Sequence, residues 1–159
     1  MYSLNLDSSY QYRLLTEVYA DGTADKPYPM GCIVDTGCVN TLIDDVALGH
    51  VKYTDLGFSQ AIRIAGKSVS GRAVVLAQVD FGGLKADRVL VFAAPLVGTP
   101  VANRMLLGLS TLNNWDYKVK RAADVITFTE ALDLPVSAGT KNKYTNYFDE
   151  NGKYVLLGE

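Results

Sequence analysis

The sequence contains very little histidine and cysteine. Its 159 residues include one histidine, His50, and two cysteines, Cys32 and Cys38. A structural zinc site needs about four cysteine or histidine ligands, so one subunit cannot supply a full set. Two cysteines so close in sequence do not form a disulfide framework, and we expect both thiols to be reduced. Acid–base catalysis by this chain would depend mainly on carboxylates, and we expect no metal and no cofactor.

Long apolar runs and runs of one charge sign are also missing. Lysine and arginine total 15 and aspartate and glutamate total 17, which gives a formal net charge of −2. This balance argues against binding to nucleic acid or to a membrane surface through bulk charge. The longest apolar stretches, such as residues 89–96, are far shorter than the ~20 residues that span a bilayer. Because residues 1–10 are polar, we expect no secretory signal and a cytoplasmic protein.

The residues that are present favour a mainly β protein. Hydrophobic residues make up 48% of the chain, which is enough for the core of one domain. They recur mostly at every second position, the period of a β strand. Pro27 and Pro29 are expected to precede the second strand, and Gly71 to interrupt a long one. The predicted strands cover residues 10–14, 32–34, 41–43, 62–64, 69–81, 88–93, 105–107, 115–119 and 125–128, with a terminal hairpin over 147–156.

Helices are predicted to be few and short. Asp44 can cap one over residues 46–48, and Gly49 can end it. Ser110 can cap a second helical turn that extends through Leu112. Between the strands, Gly66 and the residues that follow it predict a tight hairpin turn. No segment supports a helix longer than about three turns.

The most informative motif is an aspartate at the end of an apolar run. Ile33 and Val34 lead directly into Asp35, which is followed by Thr36 and Gly37. The glycine permits close approach of a ligand or of another backbone segment. This order of residues is typical of a carboxylate held on a rigid turn, although Asp-x-Gly also forms ordinary turns.

Two stretches resemble the retropepsin-like aspartic proteases, which include the retroviral proteases and their single-domain relatives. Residues 33–43 read Ile-Val-Asp-Thr-Gly-Cys-Val-Asn-Thr-Leu-Ile, an apolar pair before Asp-Thr-Gly and a Leu-Ile pair after it. Residues 105–112 read Met-Leu-Leu-Gly-Leu-Ser-Thr-Leu, the apolar pair and glycine that precede a short helix in the family. The resemblance covers about residues 10–130, and residues 62–92 look like the family's flap hairpin and further strands.

The resemblance implies a retropepsin-like closed β-barrel, equivalent to half of a larger acid protease, with one or two short helices. The family needs two facing aspartates and this chain has one Asp-Thr-Gly, so a homodimer is implied. The implied activity is aspartic endopeptidase cleavage of an extended peptide or protein substrate. The retropepsin-like domain would occupy residues 1–132, and residues 133–159 would form a C-terminal extension with a linker and a hairpin.

The resemblance also assigns roles to individual residues. Asp35 would be the catalytic aspartate, Thr36 the hydroxyl that ties the two active-site loops together, and Gly37 a residue whose backbone approaches substrate. Gly108 would serve packing beneath this loop. The residues implied in substrate binding are Cys38, Val39 and Asn40 beside the aspartate and Gly66, Lys67 and Ser68 at the flap tip.

Several alternatives remain open at this stage. The chain could be a catalytically silent retropepsin-like module that dimerises or binds peptides, because fold does not fix function. A cysteine hydrolase using Cys38 and His50 is a third reading without a recognisable motif, and a surface position for His50 is the simpler one. Cys38 stands where the family usually has alanine or serine, and is either a small buried apolar residue or a site of oxidative control. Gly66 and Lys67 could form an ordinary hairpin turn.

Overall fold

A computed structural model of the chain describes residues 2–5, 14–35, 37–64, 66–82, 84–112, 116–120, 125–130, 146–148 and 154–156. Strands dominate this part of the chain, and its two helices, α1 (Asp45–Leu48) and α2 (Leu109–Leu112), have four residues each. The strands are β1 (Tyr2–Asn5), β2 (Leu14–Asp21), β3 (Pro27–Val34), β4 (Leu42–Asp44), β5 (Tyr53–Ile64), β6 (Lys67–Phe81), β7 (Leu84–Ala94), β8 (Met105–Leu107), β9 (Asp116–Lys120), β10 (Val125–Glu130), β11 (Asn146–Phe148) and β12 (Tyr154–Leu156).

Six of the strands close into a barrel. They follow the order β2-β3-β8-β4-β7-β6, and β2 pairs back with β6. The closing pairs join Tyr19 to Asp80 and Ala20 to Val79. Strand β5 is added outside β6 and forms the free edge of the sheet. The predicted mainly β fold, with a closed barrel and two short helices, is confirmed.

The buried apolar side chains form two clusters on opposite faces of the barrel strands. In β8, Leu107 belongs to a first cluster with Val34 of β3, whereas Leu106 belongs to a second cluster with Ile33. This alternation follows from the two-residue period of a strand. The last two residues of β3 and of β8, which immediately precede Asp35 and Gly108, therefore contribute one side chain to each cluster.

Strand β3 begins earlier than the sequence predicts. It includes Pro27 and Pro29, which are paired with Asp21 and Tyr19 of β2. Strand β8 joins the other side of β3 only from Cys32 onward. A proline lacks a backbone donor but is compatible with a strand paired on one side, so the two prolines lie inside β3 rather than before it.

Strand β6 also differs from its prediction, because it continues through Gly71 without interruption. A Cβ atom at this position would overlap the side chain of Ile62 and lie 3.0 Å from Cβ of Phe92. The glycine is required by close packing and not by a break in the strand. Strand β5 likewise begins at Tyr53, well before the predicted residue 62, with a register shift between Asp55 and Ser59.

Two smaller sets of strands complete the described structure. Strands β1, β10 and β9 form a three-stranded antiparallel sheet, in which β1 was not predicted from the polar first residues. Strands β11 and β12 pair as the predicted terminal hairpin. In the described part of the chain, no helix has the length and apolar character needed to cross a membrane.

Candidate active site

Asp35 lies at the exit of β3, where strand β8 runs between β3 and β4. Strand β8 is parallel to β3 and antiparallel to β4. The backbone N–H of Asp35 donates to the carbonyl oxygen of Leu107, at 3.0 Å. Because this bond continues the β3–β8 pairing by one step, the first residue of the loop is fixed to the barrel.

The loop between β3 and β4, which we call the Asp35 loop, orients the carboxylate of its first residue. Its Oδ1 atom accepts a hydrogen bond from the backbone N–H of Gly37, at 2.9 Å. The N–H of Cys38 donates to the carbonyl oxygen of Asp35, at 3.3 Å. A Cβ atom on Gly37 would lie 3.2 Å from the same Oδ1, so glycine gives the carboxylate room here. The Asp35 side chain is half-buried and remains accessible to solvent.

A group of buried hydroxyls forms hydrogen bonds on the interior side of the Asp35 loop. The hydroxyls of Thr41 and Thr111 lie 2.6 Å apart, and the Ser110 hydroxyl donates to Thr41 Oγ1 at 3.3 Å. The backbone N–H of Gly108 donates to Thr41 Oγ1, at 3.1 Å. In return, the N–H of Thr41 donates to Ser110 Oγ, also at 3.1 Å. These bonds connect the end of the Asp35 loop to the start of α2.

Gly108 lets the Asp35 loop pack directly on the turn before α2. A Cβ atom here would meet three backbone atoms of the loop, among them the carbonyl oxygen of Cys38 at 2.8 Å and the carbonyl carbon of Asn40 at 2.7 Å. The next two N–H groups donate back to the loop, from Leu109 to Cys38 at 2.9 Å and from Ser110 to Val39 at 2.8 Å. The predicted packing role of Gly108 is confirmed.

The predicted flap residues lie at the tip of the β5–β6 hairpin. Ile64 pairs with Lys67, so the turn has two residues, and Gly66 has the positive φ of 77° that such a turn requires. Gly66, Lys67 and Ser68 are exposed. Strand β7 pairs with β6 only from Arg72 onward. Residues 59–64 and 66–71 thus belong to a two-stranded ribbon, which we call the ribbon below.

The second apolar cluster connects the ribbon to the Asp35 loop. Ile62 is one of its buried members, and Ile64 and Val69 pack against it. Ile33, two residues before the aspartate, is another buried member, and Cys38 packs against the same cluster. The structure therefore brings the ribbon and the loop onto one apolar surface.

The remaining residues of the loop differ in their exposure. Val39 is 48% exposed although it is apolar, whereas Cys38 and Asn40 are half-buried. The Cys38 thiol donates to the carbonyl oxygen of Asn40, at 3.2 Å. Thr36 lies outside the described residues. Val39 thus presents an apolar side chain to solvent four residues after the aspartate.

Both cysteines are free thiols. Complete burial raises the pKa of Cys32 to about 12. Burial also raises the pKa of Cys38, the nearby charge of Asp35 adds to this effect, and the hydrogen bond to Asn40 opposes it. Because only the thiolate is a strong nucleophile, neither environment suits a cysteine hydrolase.

His50 lies far from this loop. Its ring stacks on Tyr28 near the start of β3, with ring centroids 4.9 Å apart. Asp35 follows the end of the same strand, and seven strand residues span about 20 Å. His50 is exposed, as the simpler interpretation predicted, and cannot act as a base for Cys38 within one subunit.

Asp44 occupies the N-cap position of α1 and Gly49 its C-cap position, as predicted, but the capping bond expected from the Asp44 side chain is wrong. The Asp44 side chain makes no capping bond to α1. Instead, the carboxylate accepts hydrogen bonds from the N–H groups of Leu96, at 3.1 Å, and Asn103, at 2.6 Å. Asp44 is only 1% exposed. These two hydrogen bonds anchor the loop that leads into β8.

The predicted cap at Ser110 is wrong as well. Ser110 lies inside α2, and the carbonyl oxygen of Gly108 accepts the first helical bonds, from Thr111 and Leu112. The roles of Thr41 and Asp44 were not predicted. One sequence signal could have indicated Asp44, because it follows the apolar pair Leu42-Ile43 just as Asp35 follows Ile33-Val34.

Comparison with known proteins bears on the fold. No protein-family description and no curated protein sequence matches the chain. Among solved structures, the chain is similar to a retropepsin-like aspartic protease from Rickettsia conorii, with a TM-score of 0.51 and 14% identity. The match covers 78% of this chain and 86% of that one. At this identity the likeness concerns architecture alone, and the chain has a fold like that of a retropepsin-like aspartic protease.

Proposed function

We propose that the chain is an aspartic endopeptidase that works as a homodimer. The observation that carries the proposal is the Asp35 carboxylate, which is held by Gly37 on a loop fixed to β8 and remains accessible to solvent. The Rickettsia protein with the similar fold is a retropepsin-like aspartic protease. One chain offers one such loop, so the second aspartate would come from an identical subunit across a two-fold axis.

In this mechanism the two Asp35 carboxylates share one proton, because two like charges a few Å apart do not both ionise readily. The ionised member removes a proton from a bound water as the water attacks the scissile carbonyl carbon. The protonated member donates its proton to the carbonyl oxygen, which gives a tetrahedral gem-diol. As the peptide bond breaks, the leaving amine takes the proton that the first aspartate removed from water, and a hydroxyl proton of the gem-diol returns to the second aspartate. The pair would titrate with two apparent pKa values that belong to the dyad.

Other residues would support this reaction in the roles that the resemblance gives them. Thr36 would join the two loops across the dimer axis, and Gly37 would offer backbone close to the substrate. The exposed side chain of Val39 would contact substrate together with Cys38 and Asn40. The ribbon would close over an extended peptide and bind it through strand-type hydrogen bonds. The protease domain would span residues 1–132, with residues 133–159 as an extension.

The direct test replaces Asp35 with asparagine, which keeps the shape of the side chain and removes its charge. We expect Asp35→Asn to keep its circular dichroism spectrum and dimer mass and to lose cleavage of a mixed peptide library. Asp25→Asn is the matched control, since that carboxylate is 86% exposed and precedes the start of β3, whereas Asp35 follows its end. Cleavage by Asp35→Asn at the wild-type rate would exclude an aspartic mechanism.

The quaternary part of the proposal needs a separate measurement. Sedimentation should show a species of about twice the 17.3 kDa chain mass at the concentrations used for the assay. A monomer that still cleaves peptides would exclude the shared dyad. A folded dimer that binds peptides and cleaves none would instead support the silent peptide-binding module.

A further inference from the structure

The alternation of side chains along β6 places Lys67 on the inner face of the ribbon, which is the face that packs against the second apolar cluster. Ala73 is buried in the second apolar cluster, and Val69 packs against that cluster. Between them, Gly71 lies against Ile62 and Phe92, both of which are members. Since side chains two residues apart in a strand share one face, Lys67 continues this row at the ribbon tip.

Cross-strand pairing gives the same orientation independently. Lys67 is directly opposite Ile64, and directly opposed residues of an antiparallel pair share a face. Ile64 packs against the second cluster, which also contains Ile33 from beneath the Asp35 loop. Arg63 is opposite Ser68 and therefore occupies the outer face. One cation of the tip thus faces the candidate site and the other faces away from it.

The ribbon also lacks any negative charge of its own. No aspartate or glutamate occurs between Asp55 and Asp80. Arg72, at the base of the ribbon, is paired with Asp45 at 3.3 Å and with Asp55 at 3.1 Å. Lys67 has no ion pair or hydrogen bond from its side chain to any of the residues that the structure describes, and it is exposed. Its ammonium group is therefore available to a negative group on a ligand.

We propose that Lys67 is a specificity-determining residue that pairs with an aspartate or glutamate side chain of the bound peptide. The inference rests on the proposed peptidase function and adds a substrate class to it, namely peptides with an acidic residue near the scissile bond. A ribbon closed over the peptide would bring this ammonium group against the bound chain and exclude part of the water around it. Both effects strengthen an ion pair relative to an open surface.

The test uses a peptide that the wild type cleaves, resynthesised with glutamate, glutamine or lysine at each position flanking the cut. We expect at least one position where glutamate raises kcat/KM about fivefold over glutamine, a gain typical of a partly exposed ion pair. Lys67→Glu should reverse the order at that position, so that the lysine peptide becomes the better substrate. Raising the ionic strength from about 0.05 M to about 0.5 M should reduce the wild-type preference, because salt screens exposed charges.

Arg63→Glu is the matched control. It makes the same change of charge four residues away, on the outer face of the ribbon. The variant should therefore keep the wild-type preference for glutamate peptides over glutamine peptides. An equal reversal by Arg63→Glu would show that net charge alone is responsible and would overturn the assignment to Lys67. A wild type that cleaves glutamate and glutamine peptides equally at every position would overturn it as well.

Failure of the proposed function would be visible separately. If the wild type cleaves no peptide of the library, pairs of library peptides that differ only by glutamate or glutamine at one position are labelled, and their binding is measured by fluorescence anisotropy. A lower Kd for the glutamate form that Lys67→Glu reverses would support recognition by Lys67 in a binding module. Equal Kd values for the two forms would overturn the inference.

Discussion

The hydroxyl groups of Thr41 and Thr111 lie 2.6 Å apart beneath the Asp35 loop, and both side chains are almost completely buried. Thr41 Oγ1 also accepts hydrogen bonds from the N–H of Gly108 and from the Ser110 hydroxyl. A single oxygen therefore connects β4 to the turn and helix that follow β8. We therefore expect the Thr41 hydroxyl to be important for the stability of this part of the site.

We expect Thr41→Val to lower the free energy of unfolding by about 2–3 kcal/mol, because it leaves the buried N–H of Gly108 without its acceptor. The shape of the side chain is conserved, so packing should change little. Urea denaturation monitored by tryptophan fluorescence measures the effect. Thr54→Val on exposed β5 should stay within about 0.5 kcal/mol of the wild type. A Thr41→Val protein as stable as this control would show that the hydroxyl group is not important.

Gly108→Ala should be destabilising by about 1–3 kcal/mol, since the added methyl group meets backbone atoms of residues 38–40 that cannot rotate away. If the proposed function holds, kcat should fall as well, because the displaced loop carries Asp35. Gly49→Ala provides the control, as its Cβ would have no neighbour closer than 3.5 Å. Thermal unfolding and peptide cleavage are measured on both variants. Equal melting temperatures would contradict the packing described here.

Asp44→Asn should lower the free energy of unfolding by about 2–3 kcal/mol. The amide keeps one acceptor oxygen and replaces the other with a donor, so one of the N–H groups of Leu96 and Asn103 loses its partner inside the protein. Asp25→Asn should change the free energy of unfolding only slightly, because the ion pair between Asp25 and Lys52 lies in solvent. Hydrogen exchange should report faster exchange at Leu96 or at Asn103 in Asp44→Asn and at neither in Asp25→Asn; unchanged protection at both would argue against the anchor.

The two thiols should differ in reactivity and in their effect on stability. Iodoacetamide should modify Cys38 slowly and Cys32 only after unfolding, as mass spectrometry of peptide digests can show. The folded pKa of Cys32 is raised from about 9 to about 12. The unfolded chain therefore loses its proton first, and stability should decline as the pH rises through this interval. Cys32→Ala should remove this part of the decline; an identical pH profile would contradict it.

Much of the barrel follows from local patterns in the sequence. The apolar pairs before Asp35 and Gly108 lie in strands, as their patterns predict, and the structure adds that these two strands pair with each other. The two-residue period also identifies the ribbon, because Ile62 and Ile64 alternate with exposed Arg63. Such patterns are visible because one face of each strand is buried and the other is not.

What the sequence did not predict depends on contacts between distant residues. Asp44 has a good local reason to cap α1, yet its acceptors are used by N–H groups that lie 52 and 59 residues further along the chain. Ser110 similarly bonds to Thr41, which lies 69 residues away in the chain. The first half of β5 is exposed on both faces and therefore shows no alternation. Contacts of this kind, between residues far apart in the chain, cannot be inferred from the sequence of a single segment.

The arrangement of β3, β8 and β4 also has a consequence for the order of folding. Thr41 and Thr111 are 70 residues apart in sequence, and the N–H of Asp35 has its acceptor on Leu107. A chain emerging from the ribosome cannot form these bonds until β8 and α2 have been synthesised. Contacts of such long range slow folding. An incomplete chain that ends before β8 would therefore hold the Asp35 sequence without the hydrogen bonds that fix it to the barrel.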